Sequence, residues 1–341
     1  MSSIEDVLNI IQMIFSRYLL PICLFFGIFG NIFNIFIFLA KKFRSNSCSI
    51  YFLGTSFTNL FIILFGIIPS ISSSYITDPS LYLTWACKLK LYGLHSLLMI
   101  SRTYVTLACL DQYFFSSIKP YLRRLSNTKF ALKMLFIVPI CWLIIPIHML
   151  IFMNVQIPYV KCGTSGVYSL VYAIYSFLCS STPLILMIIF SLLAFSNIRQ
   201  INHRIVPAMN VTNHIHMKNY DRQIILMLIF TVWIYFISNV LHPTNTLYMY
   251  LTTVSKGQPP KSSSRIAIEG FVTYLTWGFF IYINSCSTFY INICVSKIYR
   301  MRFVYLLKTT FNYLKNGQII PEPNTTNHLG ISTAMKIIRP N

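Results

Sequence analysis

Residues 86–115, ACKLKLYGLHSLLMISRTYVTLACLDQYFF, set the reading of the whole chain. Cys87 stands near the start of this apolar run and Asp111-Gln112-Tyr113 near its end. The 24 residues from Cys87 to Asp111 cover roughly 36 Å at the helical rise of about 1.5 Å per residue, a hydrocarbon core plus part of one headgroup layer. The segment is therefore expected to span a membrane. One end carries a cysteine suited to an oxidising compartment. The other carries an acid–polar–aromatic triplet followed by Lys119, Arg123, Arg124, Lys129 and Lys133, and basic loops mark the cytosolic side.

Hydrophobic residues make up 55% of the 341 and charged residues 10%, and apolar runs long enough to span recur, so a soluble globular domain is excluded. Seven spans of about 25 residues consume nearly everything. The net charge of +20 is distributed over alternate short loops rather than along one stripe. It reads as membrane topology, not as nucleic-acid binding. The acids Glu5, Asp6, Asp78, Asp111, Asp221, Glu269 and Glu322 are scattered, with no carboxylate pair, P-loop or metal-spaced His/Cys cluster. No enzyme, cofactor or metal site is expected, and His214 with His216 reads as a solvated loop face. The N-terminus places acids before its apolar run, so the first helix is expected to act as a signal anchor rather than a cleaved signal peptide.

The expected architecture is an all-α membrane protein: a seven-transmembrane helix bundle with a short amphipathic eighth helix. Residues 1–15 are read as an extracellular N-terminus, 16–294 as the transmembrane domain, 295–310 as the amphipathic helix and 311–341 as a disordered cytoplasmic tail. Lys41, Lys42 and Arg44 follow span one at once and hold its end in the cytosol, leaving the N-terminus outside. The segments assigned to the cytosol hold 19 Lys plus Arg and the outer ones 7, with Arg102 inside the membrane. The sequons at Asn210 and Asn324 fall on the cytosolic side and read as accidental.

Several features recur along the spans: Gly30-Asn31 in the first, YFLGTSFTNL (51–60) in the second, Trp85 and Cys87 before Asp111-Gln112-Tyr113 in the third, Trp142 in the fourth, Pro183 in the fifth, Pro243 in the sixth and NSCSTFYIN (284–292) in the seventh. Together they resemble rhodopsin-like (class A) G-protein-coupled receptors over most of the chain. Singly, Gly-Asn is also a close-packing point with a satisfied amide, and Trp85 is equally a membrane-interface anchor. The resemblance implies a heterotrimeric G protein as partner, an extracellular ligand, and plasma-membrane placement in the lipid bilayer. Cys87 and Cys162 both fall at the outer face, so they are expected to pair and tether the loop after span four to span three.

The chain departs from the family at informative places. Gln112 replaces the arginine of the family's triplet, Asn59 stands where the family has an aspartate that helps to hold sodium, and Leu241 replaces a tryptophan before Pro243. Aligning Asn284-Ser285 with the family's motif puts Asn292 at its tyrosine. Coupling and switching thus fall to Asp111, Gln112, Tyr113, Asn59, Arg102, Pro243 and Asn292, with sodium sensitivity weak or absent. Arg102, about 13 Å along the axis from Asp111, is read as an internal structural group, a ligand contact or an activation switch.

The outer thirds of spans three, six and seven offer Leu94, His95, Met99, Asn245, Tyr248 and Tyr274 as ligand-binding residues, aromatic and polar without a carboxylate. Leu94 occupies the place of the aspartate that pairs with amines in aminergic relatives, which argues against an amine. No lysine lies between Ala267 and Cys294, so no retinal Schiff base can form. The patterns at 51–60 and 284–292 resemble FMRFamide-type neuropeptide receptors, which implies a peptide ligand. The competing reading is a seven-span chemosensory or orphan membrane protein without efficient G-protein coupling.

Overall fold

The computed structural model describes residues 4–156, 161–203, 211–254 and 262–316. The Asn210 sequon and the polar loop at 255–261 lie outside the described residues; of the tail expected to be disordered from 311, residues 311–316 are helical, and the rest, from 317 with its Asn324 sequon, lies outside them too. Residues up to Arg300 form one compact unit and those from Met301 another. Eight long helices follow in order: α1 (Ile4–Leu39), α2 (Ser47–Ser72), α3 (Thr84–Ser116), α4 (Thr128–Phe152), α5 (Tyr168–His203), α6 (Arg222–Thr252), α7 (Ser263–Val295) and α8 (Lys297–Asn316). A small hairpin, β1 (Asn154–Gln156) and β2 (Lys161–Gly163), precedes α5.

Local chemistry sets the ends of these helices. Asn46 and Asn127 accept the backbone N–H groups of Cys48 and Lys129 at 2.9 Å and cap α2 and α4, and Ser262 does the same for Arg265 at 3.4 Å. Glu5 and Asp6 sit in the first turn of α1, where carboxylates offset the helix dipole. That start lets α1 run back to Ile4, through residues expected to lie outside the first span. Proline explains two breaks. Pro146 divides α4 between Ile144 and Ile147, and α6 is interrupted at Val240 because Pro243 lacks an N–H and its ring crowds the carbonyl of Asn239. Pro183, by contrast, sits inside an unbroken α5.

Among the described residues, six helices are long and apolar enough to cross a membrane: α1, α2, α4, α5, α6 and α7. Their outward side chains are apolar. On α4, Phe136, Ile140 and Ile144 are 70%, 57% and 62% exposed, a continuous surface that water would not tolerate and that acyl chains would cover. The chain is thus an almost entirely helical, multi-pass membrane protein. α3 carries Lys88, Lys90, Arg102 and Asp111, is less apolar, and is buried instead by α2, α4 and α5. Tyr104 donates to the carbonyl of Leu135 and Trp142 to Thr103 Oγ1, at 2.7 and 2.8 Å, which fastens α3 to α4. A second contact layer joins α3 to α1, α2 and α7 through Leu20, Ile63, Leu94, Leu98 and Tyr282.

One end of α3 is held covalently. Cys162, opposite Val155 in the hairpin, forms a disulfide with Cys87 across 5.6 Å between Cα atoms. The seven other cysteines are free. Beside it, Lys90 pairs with Asp78, which also accepts the N–H of Ser80 at 2.9 Å. Burial raises the Asp78 carboxyl, but hydrogen bonds from Lys90 and Ser80 outweigh it and hold the group below its ordinary value.

Two outcomes follow from this end of the bundle. Closing a loop of 75 residues, the disulfide is worth about 4 kcal/mol in the chain-entropy account, so Cys87→Ser should lower the detergent-solubilised unfolding temperature markedly, and a reducing agent should lower that of the wild type alone. The Lys90–Asp78 pair contributes at most about 1 kcal/mol. Its contribution is present above the unfolded carboxyl value of about 3.9 and is lost as pH falls through the lower folded value. Asp78→Asn should therefore reduce thermal stability at pH 7 and leave it nearly unchanged in strong acid.

Candidate functional site

A cation lies at the centre of the bundle. Arg102 is 2% exposed, and every acceptor around it is neutral. Its Nε donates to Tyr235 Oη at 2.6 Å, Nη1 to Ser180 Oγ at 3.1 Å and to Met99 Sδ at 3.7 Å, and Nη2 to Asn239 Oδ1 at 3.0 Å. The guanidinium carbon also stands 5.8 Å from the centre of the Tyr235 ring. One planar fork thereby joins α3 to α5 and α6. Tyr235 and Asn239 are four residues apart, so they share a face of α6. Asn239 is itself oriented by donating to the Tyr235 carbonyl at 3.2 Å and to Ser238 Oγ at 2.8 Å.

The residues expected around a ligand divide among three places. His95 lies two turns from Arg102 on the same face of α3, hydrogen-bonded to Tyr175 Oη of α5 at 3.0 Å, with Met99 between them. Asn245 and Tyr248 face α7: Asn245 donates to Thr273 at 3.2 Å, and Tyr248 donates to Glu269 at 3.0 Å while accepting from Arg265 at 3.2 Å. Leu94 and Tyr274 are elsewhere. Leu94 packs in the core shared with α1, α2 and α7, and Tyr274 forms a 2.7 Å hydroxyl pair with Ser16 of α1. Successive residues turn about 100° around a helix, so equal depth does not give an equal face.

At the other end of α3, both oxygens of Asp111 accept from Ser47 Oγ, at 2.8 and 2.7 Å, and Ser47 also meets Ser126 at 3.0 Å. The carboxylate is thus tied to the start of α2. Gln112 is 1% exposed with its Oε1 accepting no hydrogen bond, next to a small void lined by Cys109, Ser191 and Ile225. Tyr113 stacks on Phe190 with 6.2 Å between centroids. Asn59 is fully buried and accepts from Ser101 at 2.9 Å. Pro243 is buried in α6, three residues past its interruption.

A separate polar seam joins α1 to α7. Asn31 donates to the carbonyls of Gly27 and Ser285, each at 2.8 Å, beside Gly30, where an added Cβ would come within 2.9 Å of Phe289. Asn34 donates to Thr288 at 3.2 Å and accepts from Asn292 at 3.3 Å and from Tyr299 Oη. Asn292 is therefore a seam residue. Sequence reasoning missed Tyr175, Ser180, Tyr235, Asn239, Ser47 and Asn34. The available signal was a buried cation in need of acceptors and a polar pair spaced by four in the otherwise apolar α6. No protein-family model matches the chain, and no curated protein matches it.

Removal of either partner tests the fork. With Arg102 gone, Tyr235 has no cation to bond, so Tyr235→Phe should destabilise the wild type by about 1.5–3 kcal/mol and add little in an Arg102→Leu background. Thermal unfolding of the two single variants and the double variant should show clearly less than additive losses.

Proposed function

We propose that the chain is a seven-span receptor of the plasma membrane, with its N-terminus outside, that passes the binding of an extracellular peptide to a cytosolic heterotrimeric G protein. The observation that carries this reading is α3: one helix with a disulfide at one end, an acid–polar–aromatic triplet at the other and a buried cation between them. Its 33 residues measure about 50 Å. Lys88 and Lys90 lie within its first two turns and Asp111 within its last two, at headgroup depth. The 21-residue stretch from Lys90 to Asp111 is roughly 31 Å long, a bilayer core, and Arg102 is the charge inside it. On this account α3 is the seventh span, and α8, with basic and apolar residues alternating along its sequence, lies in the interface as an eighth helix.

The route of the signal follows from the contacts. His95 touches α5 through Tyr175, Arg102 touches α5 and α6, and the two share a face of α3. A ligand that draws on His95 or Asn245 would displace α6 about its interruption at Val240, with the Arg102 fork setting which of two positions is kept. One observation favours the competing reading of a membrane protein without efficient coupling: Gln112 has no charge to offer a partner, and Asp111 is already satisfied by Ser47.

A peptide library screened by G-protein recruitment tests the function. Once a ligand is in hand, Gln112→Arg should raise agonist-stimulated nucleotide exchange at equal surface expression, because it restores a cation at the cytosolic mouth. Unchanged or reduced exchange would remove position 112 from the coupling contact, and failure of every peptide to recruit G protein would favour the competing reading.

A further inference from the structure

A second site is built into the other half of the bundle. α1, α2 and α7 line a half-open pocket of about 280 Å³ at the disulfide end, and among the described residues none of α3, α5 or α6 lines it. α1 contributes Asn9, Gln12 and Ser16, α2 contributes Ser70 with Ser73 in the turn that follows it, and α7 contributes Tyr274 with Gly278. No charged side chain lines it. Arg17, next to Ser16, is engaged elsewhere, donating to the Ser74 carbonyl at 2.8 Å and stacked 4.8 Å over Tyr75.

Part of the hydrogen-bonding capacity on this wall is free. Ser73 donates to the Ser70 carbonyl at 2.8 Å, which leaves its oxygen as an acceptor, whereas Ser70 donates to the Gly66 carbonyl at 2.8 Å and also meets the Tyr282 hydroxyl, and Ser16 and Tyr274 are paired with each other. The Asn9 and Gln12 amides supply donors. The backbone is also exceptional here. Each of the three lining helices contains a π-helical turn: Phe15–Leu19, which includes Ser16; Ile63–Ile67, ending three residues before Ser70; and Leu275–Phe280, which includes Gly278 and follows Tyr274. Such turns are rare and cluster at functional sites, since the extra residue re-aims the side chains that follow. Gly278 completes the arrangement, because a Cβ there would meet the Tyr274 ring at 3.0 Å.

We infer that this cavity binds a small uncharged polyol, of about the size of a six-carbon sugar or cyclitol. Hydroxyls that both donate and accept match serine oxygens and amide N–H groups set side by side, whereas an ion would find no countercharge among the lining residues. The volume falls just below the usual range of about 300–1,000 Å³ for ligand sites, which suits a small ligand alone. The same chemistry could be presented by a free polyol or by the headgroup of a neutral glycolipid, and the site is independent of whether the chain couples to a G protein.

The test uses the full chain in nanodiscs. Saturable binding of radiolabelled myo-inositol or D-glucose, or competition for it by nanodiscs containing glucosylceramide, is expected; the first result assigns a soluble source and the second a lipid one. Gln12→Leu should weaken binding by about tenfold, the loss of one hydrogen bond, while leaving thermal stability intact because Gln12 is only half-buried. Ser73→Ala is the second variant should Gln12→Leu misfold. Gluconate and glucosamine should not compete. No saturable polyol binding at millimolar concentration, equal competition by the charged analogues, or binding indifferent to both variants would each overturn the inference.

Discussion

A guanidinium at the depth of Arg102 is the constraint from which much of this molecule follows. Out of water a cation without hydrogen-bond partners costs several kcal/mol or more, and Arg102, 2% exposed, has only neutral partners: Tyr235, Asn239, Ser180 and the sulfur of Met99. Satisfying them demands that α5 and α6 both come within reach of one face of α3. That demand explains why α3, the least apolar of helices α1–α7, is packed against its neighbours along most of its length. It also makes the fork a natural point of control, because three helices share a single planar group whose donors have fixed directions.

The bundle is stitched elsewhere by a different chemistry. Between α1 and α7, the amides of Asn31, Asn34 and Asn292 reach backbone and hydroxyl partners, with Gly30 allowing Phe289 close. No charge is involved, so this seam carries little electrostatic cost and little directional strain. The half built from α1, α2 and α7 holds both the seam and the serine-lined cavity. The half built from α3, α5 and α6 holds the fork and the proline-associated interruption of α6. A movement of α6 about Val240 would strain the fork, whereas the seam's hydrogen bonds are made without α6.

Much of this was legible in the sequence, because hydropathy and loop charge report depth along a helix. Six of the seven expected spans, the Cys87–Cys162 pair and the burial of Arg102 come directly from those two patterns. What they do not report is direction around the helix. His95 and Leu94 are neighbours at one depth, yet one meets Tyr175 and the other packs towards α1 and α7. Tyr274 was grouped with the α3 and α6 residues for the same reason and faces Ser16 instead. The partner of Asp111 was hidden too: Ser47 is 64 residues away and belongs to a helix start that carries no charge. The π-helical turns left no signal in apolar runs such as Ile63–Ile67, where any residue fits either helix type.

The account rests on α3 crossing the bilayer, and the parity of the crossings decides that directly. Six spans return the chain to the side on which it began, and seven leave its ends on opposite sides. Epitope tags at the N-terminus and after Asn341, probed by antibody on intact and permeabilised cells, measure this parity. The expected result is an N-terminal tag labelled on intact cells and a C-terminal tag labelled only after permeabilisation. Labelling of both tags on intact cells, or of neither, would contradict the span assigned to α3, and with it the role of Arg102 as a charge within the membrane.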